Sequence, residues 1–197
     1  LGNIDVDYVE FINIGTSAGT AHDGVVVNNT TGTASYRYCS IHETTAAGAR
    51  GFYVIAASGT AAEISNNVAY GIIGVQFGNI ATTATSVFDS NLSMRCTVAG
   101  FAFVDVGGTI TNNISTSNTT SGFTVSESAT ATIGTFSGNT AHSNTTDGFI
   151  ITLVANGTMS NITSWRNNSD GMTFDPESGE INLITATLFG NTVSNLA

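Results

Sequence analysis

Apolar and polar residues alternate in short bursts along this chain, and each burst is led by a glycine. The bursts are Gly24-Val-Val-Val27, Gly51-Phe-Tyr-Val54, Gly74-Val-Gln-Phe77, Gly100-Phe-Ala-Phe103, Gly122-Phe-Thr-Val125, Gly148-Phe-Ile-Ile151 and Gly171-Met-Thr-Phe174. The glycines stand 27, 23, 26, 22, 26 and 23 residues apart. Alternation at period two predicts a strand with one buried face. Self-similarity at a period of about 20 to 50 residues predicts a solenoid, in which each repeat buries its apolar face only against its neighbours. Aligned on the glycine, Val25, Phe52, Val75, Phe101, Phe123, Phe149 and Met172 form one inward column. Val27, Val54, Phe77, Phe103, Val125, Ile151 and Phe174 form the next.

A second strand precedes each glycine, with Phe11, Tyr38, Ile64, Phe88, Ile110, Phe136, Met159 and Leu188 as its inward column, which gives eight coils. Three residues further on stand Ile14, Ile41, Asn67, Asn91, Asn113, Asn139, Ile162 and Asn191. This is the pattern of an asparagine ladder, whose stacked amides satisfy polar groups that a bend exposes. Asn118, Asn144 and Asn167 form a second, shorter ladder, and small residues (Ala69, Ser93, Ser115, Ala141, Ser164) follow the first by two positions. Gly-Thr pairs at Gly32, Gly59, Gly108, Gly134 and Gly157 open the second strand, where glycine supplies the positive φ of a tight corner.

Composition narrows the function more than the fold. The 197 residues hold no lysine, four arginines (Arg37, Arg50, Arg95, Arg166) and fourteen acids, for a net charge of -10. Nucleic-acid binding by phosphate neutralisation is excluded as a class. No apolar run approaches the roughly 20 residues of a membrane span. Chemistry has few candidates. Asp147 and Asp170 share a column in adjacent coils, where two carboxylates serve as acid and nucleophile in sugar hydrolysis or, more simply, cap Asp-Gly turns. His142, Trp165 and Arg166 fall near one another, an arrangement suited to sugar stacking or to packing on the flank of the solenoid. Asp170, Asp175 and Glu177 offer oxygen ligands for a weak Ca²⁺ site, with ordinary surface acids as the alternative. Cys39 and Cys96 lie in different columns two coils apart, which predicts buried free thiols rather than a disulfide. Sequons stand at Asn28, Asn29, Asn91, Asn113, Asn118, Asn144, Asn156, Asn161 and Asn167 as glycosylation candidates.

The segment Asn139-Thr-Ala-His-Ser-Asn144-Thr-Thr-Asp-Gly-Phe-Ile-Ile151 and the coil after it resemble the parallel β-helix repeat of the pectin-lyase-like superfamily. The resemblance covers roughly residues 8 to 195 and implies an all-β, right-handed, single-stranded parallel β-helix with three faces per coil. It constrains function weakly, because the superfamily includes lyases, hydrolases, tailspikes, adhesins and filament proteins. Hydrolases resembling polygalacturonases carry Asn-Thr-Asp, Asp-Asp, Gly-His-Gly and Arg-Ile-Lys motifs. Only the first has an echo here, at Asn168-Ser-Asp170 and Thr145-Thr-Asp147. Lyases similar to pectate lyase need a Ca²⁺-binding acid set and a basic residue, for which Arg95 and Arg166 sit in one column with two coils between them.

The expectation is a single β-helix domain over residues 1–197, by itself or as a segment of a longer chain, acting as an extracellular or cell-surface structural rod. Its open coil ends are expected to self-associate or to continue into more chain. The alternative is a polysaccharide-binding or polysaccharide-cleaving domain.

Overall fold

Three strands per coil, each running parallel to its counterparts above and below, build the chain into a β-solenoid. The computed structural model describes residues 3–12, 23–29, 32–43, 50–56, 61–72, 77–81, 86–104, 107–127, 134–153, 157–176 and 181–194. Face one stacks Ile4–Asp7, Thr33–Arg37, Ala61–Ser65, Val87–Asp89, Thr109–Thr111 and Thr135–Ser137 on the first halves of Gly157–Trp165 and Ile181–Phe189. Face two stacks Glu10–Ile12, Ser40–His42, Val68–Tyr70, Leu92–Met94, Ile114–Thr116 and Thr140–His142 on the second halves of the same two strands. Face three is a seven-stranded sheet from Asp23–Asn29 through Arg50–Ala56, Phe77–Ala81, Phe101–Val104, Phe123–Glu127 and Phe149–Leu153 to Met172–Pro176. Faces one and two thus hold eight levels and face three holds seven. The described chain closes seven coils and begins an eighth, slightly fewer than the eight coils read from sequence.

Phenylalanines dominate the core because the period-two strand of face three brings the same position inward in every coil. Phe52, Phe77, Phe101, Phe123 and Phe149 stack with ring centroids 5.5, 4.8, 4.6 and 4.8 Å apart, all fully buried. Ile64, Phe88, Ile110, Phe136 and Met159 meet them from face one, with Phe136 edge-on to Phe123 and Phe149. Edge-to-face and offset-stacked contacts are the favourable geometries of aromatic pairs.

Register differs from the sequence reading in four coils. Phe77 pairs with Phe52 and Phe101, so it belongs to the first inward column; Val75, placed there by the glycine alignment, lies outside the described residues. On face one the inward residues of the first two coils are Val6 and Tyr36, not Phe11 and Tyr38. Phe11 points inward one face later, and Tyr38 is exposed, stacked on Tyr8 at 5.0 Å. In the last coil Leu183 lies under Met159, while Leu188 lies under Ser164 on face two. The apolar pattern is ambiguous in each case because two successive faces each present an inward residue, and the corner between them hides the phase.

That corner is a left-handed residue in every coil. Between faces one and two, Tyr8, Tyr38, Asn66, Ser90, Asn112, Gly138, Asn161 and Thr185 all have φ of 53 to 69°. After face two, Glu43, Gly71, Arg95, Ser117, Ser143, Arg166 and Gly190 repeat it at φ of 52 to 64°. A non-glycine residue in this conformation costs about 1–2 kcal/mol and persists where the surroundings over-determine it. In the coils from Asn67 to Asn139 the residue after the first corner supplies that determination. Cys39 N donates to Asn67 Oδ1, and Asn67, Asn91 and Asn113 each donate backbone N–H and Nδ2 to the Oδ1 one coil on, ending at Asn139. The same amides donate back to the carbonyls of Tyr36, Ile64, Phe88 and Ile110 at 2.7–2.9 Å.

A second ladder, at the second corner, starts at Cys96 and runs Asn118, Asn144, Asn167, Asn191. Asn191 therefore belongs to this ladder rather than to the first. The positions assigned to Ile41 and Ile14 in the first ladder are held instead by Cys39 and Val9; Ile14 itself is outside the described residues. Both cysteines are buried free thiols, each at the head of a different ladder.

Glycine leads the repeat for lack of space rather than for its φ. A Cβ on Gly148 would overlap Ser164 Oγ and the Gly171 carbonyl of the next coil. In the described Gly-Thr pairs only Gly32 has positive φ, at 105°, whereas a Cβ on Gly134 would strike the Gly108 carbonyl. Gly59 lies outside the described residues.

Candidate functional site

Asp147 and Asp170 do occupy one column, and a backbone bond engages the Asp147 carboxylate, whereas Asp170 Oδ1 is buried with no hydrogen-bond partner among the described residues. Asp147 Oδ1 accepts the Asp170 N–H at 3.0 Å, while the two backbone carbonyls accept the N–H groups of Gly122 and Gly148. Asp170 Oδ2 lies 3.5 Å from the Thr173 hydroxyl, at the outer limit of a hydrogen bond. Asp147 is thus the corner cap that Asp-Gly sequences supply, holding one coil to the next. Asp175, which the sequence grouped with Asp170 for Ca²⁺, lies exposed on face three and pairs with Thr152; Glu177 is outside the described residues. Among the described residues no three His, Cys, Asp or Glu side chains converge as metal ligands.

His142 and Trp165 come together on the outer side of face two, with ring centroids 4.4 Å apart and planes 13° apart. Phe189 continues the stack below Trp165 at 6.0 Å and 3°, and the Arg166 guanidinium lies 5.1 Å from the Trp165 ring. The column extends upward through Thr116, Met94, Tyr70, His42 and Ile12. Stacking along the solenoid axis turns the indole edge outward. Both of its faces are occupied by neighbouring rings, and a sugar stacking on an indole needs one of those faces. Burial holds His142 below the ordinary histidine range, and the hydroxyls of Thr116 and Ser143 lie 3.2 and 3.3 Å from its Nδ1.

Charge gathers at the other end of the solenoid, on face one, where the sequence reading named no site. Arg37 donates to both carboxylate oxygens of Asp7 at 2.9 and 3.2 Å, with Asp5 and Glu63 at 3.7 and 3.9 Å in the coils above and below. One guanidinium thereby staples three coils across an exposed face. The signal was present in sequence as Asp5, Asp7, Arg37 and Glu63, but only the correct register of the first coils stacks them. Asp89 forms a second polar knot. Burial pushes its carboxyl up, yet bonds from Thr111, Ser90 and Asn112 outweigh this and hold it below the ordinary value. Arg50, paired by backbone with Asp23, lays its guanidinium over the Tyr53 ring at 3.8 Å.

The glycosylation candidates divide by burial. Asn91, Asn113, Asn118, Asn144 and Asn167 are at most 1% exposed and are ladder residues whose side-chain amides donate to the next coil or, for Asn118, to Ser115 of its own coil, so the folded chain has no room for a glycan on them. Asn161 is exposed at a corner. Asn28 and Asn29 lie in the first strand of face three, and Asn156 lies outside the described residues. No helix among the described residues is long and apolar enough to cross a membrane. No model of a known protein family matches the chain, and no curated protein matches its sequence.

Proposed function

We propose that the chain is a non-enzymatic structural module: a rigid β-solenoid rod from an extracellular or cell-surface protein, adhesive or filament-forming, wound right-handed in the manner of the pectin-lyase-like superfamily. The observation that carries this reading is the engagement of its most chemically suggestive side chains in stacking. Asp147 caps the next coil, Trp165 is sandwiched between His142 and Phe189, and the buried asparagines link coil to coil. The terminal strands extend the same logic. Ile181–Phe189 and Met172–Pro176 at one end, and Ile4–Asp7, Glu10–Ile12 and Asp23–Asn29 at the other, each pair on one side only among the described residues. Leu183 and Leu188, and Val6 and Phe11, are only partly covered there. Such edges template further parallel pairing, with more coils or with a second copy; the second case is a heterologous contact that builds a filament.

The second reading, a domain that binds or cleaves polysaccharide, rests on the grouping of His142, Trp165 and Arg166. A glycan array combined with cleavage assays on acidic polysaccharides separates the two. The structural reading predicts no binding and no cleavage. Cleavage that disappears in an Asp147→Asn, Asp170→Asn double variant would overturn it.

A further inference from the structure

We infer that N-linked glycosylation and the folded asparagine ladders exclude each other, and that Asn161 is the acceptor site among the sequons whose side chains the structure describes. The inference does not depend on the rod reading, because it follows from how each amide is held. The chemistry joins C1 of a lipid-linked oligosaccharide to the asparagine Nδ2. The C1–O bond to the lipid diphosphate breaks, the diphosphate leaves with the bond electrons, and one amide proton passes to a base. The acceptor nitrogen must therefore be reachable and must give up a hydrogen.

Five sequon amides meet neither condition. Asn91 Nδ2 donates to Ile64 O at 2.7 Å and Asn113 Oδ1 at 3.0 Å, and Asn113 Nδ2 repeats this with Phe88 O and Asn139 Oδ1. Asn118 Nδ2 donates to Ser115 Oγ, and Asn144 and Asn167 Nδ2 donate to the Oδ1 of the next ladder residue. Each is fully or almost fully buried, and for Asn91 and Asn113 the serine two residues on is buried as well: Ser93 and Ser115 are 0% exposed. A glycan there would remove a donor and place a sugar inside a packed corner, leaving buried carbonyls without partners.

Asn161 differs in the exposure of its side chain. It sits at the left-handed corner between faces one and two, with φ of 53° and its side chain exposed. Its neighbours along the axis are Gly138, which carries no side chain, above and the exposed Thr185 below. The hydroxyl residue of its sequon, Thr163, is half-buried on the outer side of face two and not walled in.

The test uses the full 197-residue chain produced folded in a host without N-glycosylation. It is treated with an oligosaccharyltransferase and a lipid-linked oligosaccharide, once folded and once denatured, and glycopeptides are mapped by mass spectrometry. The expected result is occupancy at Asn161 in the folded chain and none at the five ladder positions, all of which gain glycans after denaturation. Thr163→Val, which breaks the sequon with little change of shape, should remove the Asn161 glycan and no other. A glycan on any ladder asparagine of the folded chain would overturn the exclusion. Asn161 left bare in folded chain, or a pattern unchanged by Thr163→Val, would overturn the site.

Discussion

A single ladder asparagine satisfies several otherwise buried groups at once. Asn113 donates its backbone N–H and Nδ2 to Asn139, returns an Nδ2 bond to the Phe88 carbonyl, and accepts the N–H and amide of Asn91. Asn113→Ala strands the Asn91 N–H and the Phe88 carbonyl, so it should cost about 3 kcal/mol in urea unfolding. Asn161→Gly keeps the left-handed corner without touching the ladder, and should stay within about 0.5 kcal/mol. The first ladder was legible from Asn67 to Asn139 because one residue type recurred at one offset. The left-handed corners beside the ladders were not, since Tyr, Asn, Ser, Gly, Thr, Glu and Arg all occupy them. Backbone geometry unites those columns, and side-chain chemistry does not. His142 adds a pH signature at this scale. Its folded value lies below the ordinary 6.5, so the unfolded chain takes up the proton first. Stability is fully present above about pH 6.5 and declines as pH falls below it. Proton NMR should give His142 a midpoint lower than that of free histidine, and an ordinary or raised midpoint would contradict the burial seen in the His142–Trp165 stack.

Among the elements, face three carries the largest share of the core. Its five stacked phenylalanines lie between Val25 and Met172, and Phe101 touches Phe77, Phe103 and Phe123. Phe101→Ala should destabilise by about 3–5 kcal/mol, because flat coils stacked on both sides cannot collapse into the void. Gly148→Ala tests the close approach of strands at the corner. The added methyl has to displace Ser164 or the Gly171 carbonyl, and a loss of about 1–3 kcal/mol is expected on thermal unfolding. An unchanged melting temperature would mean that the coils stand further apart there. Period-two alternation made these strands visible, and Gly-Phe at 122–123 and 148–149 fixed their register. The short strands of face two were harder to phase, because Phe11, Ile41 and Leu188 lie inward there just as Val6, Tyr36 and Leu183 do one face earlier. A two-strand pattern read from apolar residues alone cannot assign such residues to the right face.

For the whole molecule, nearly every bond that matters runs along one axis. The backbone ladders, both asparagine ladders, the phenylalanine stack, the His142–Trp165–Phe189 stack and the Arg37 staple all join a coil to its neighbour. Stability in such a body accumulates level by level, and an end coil satisfies only half of its inter-coil bonds. The Asp147–Asp170 pair offered both a catalytic and a turn-capping reading in sequence for one reason: repetition brings like residues together whether or not chemistry follows. The most direct measurement is electron microscopy of the purified 197-residue chain over a range of concentration, with diffraction analysis of the particles. A structural solenoid with pairing-competent end strands predicts unbranched rods of one uniform width that lengthen with concentration and show an axial repeat of about 4.8 Å. Short isometric particles whose length does not change with concentration, and which lack that repeat, would contradict it.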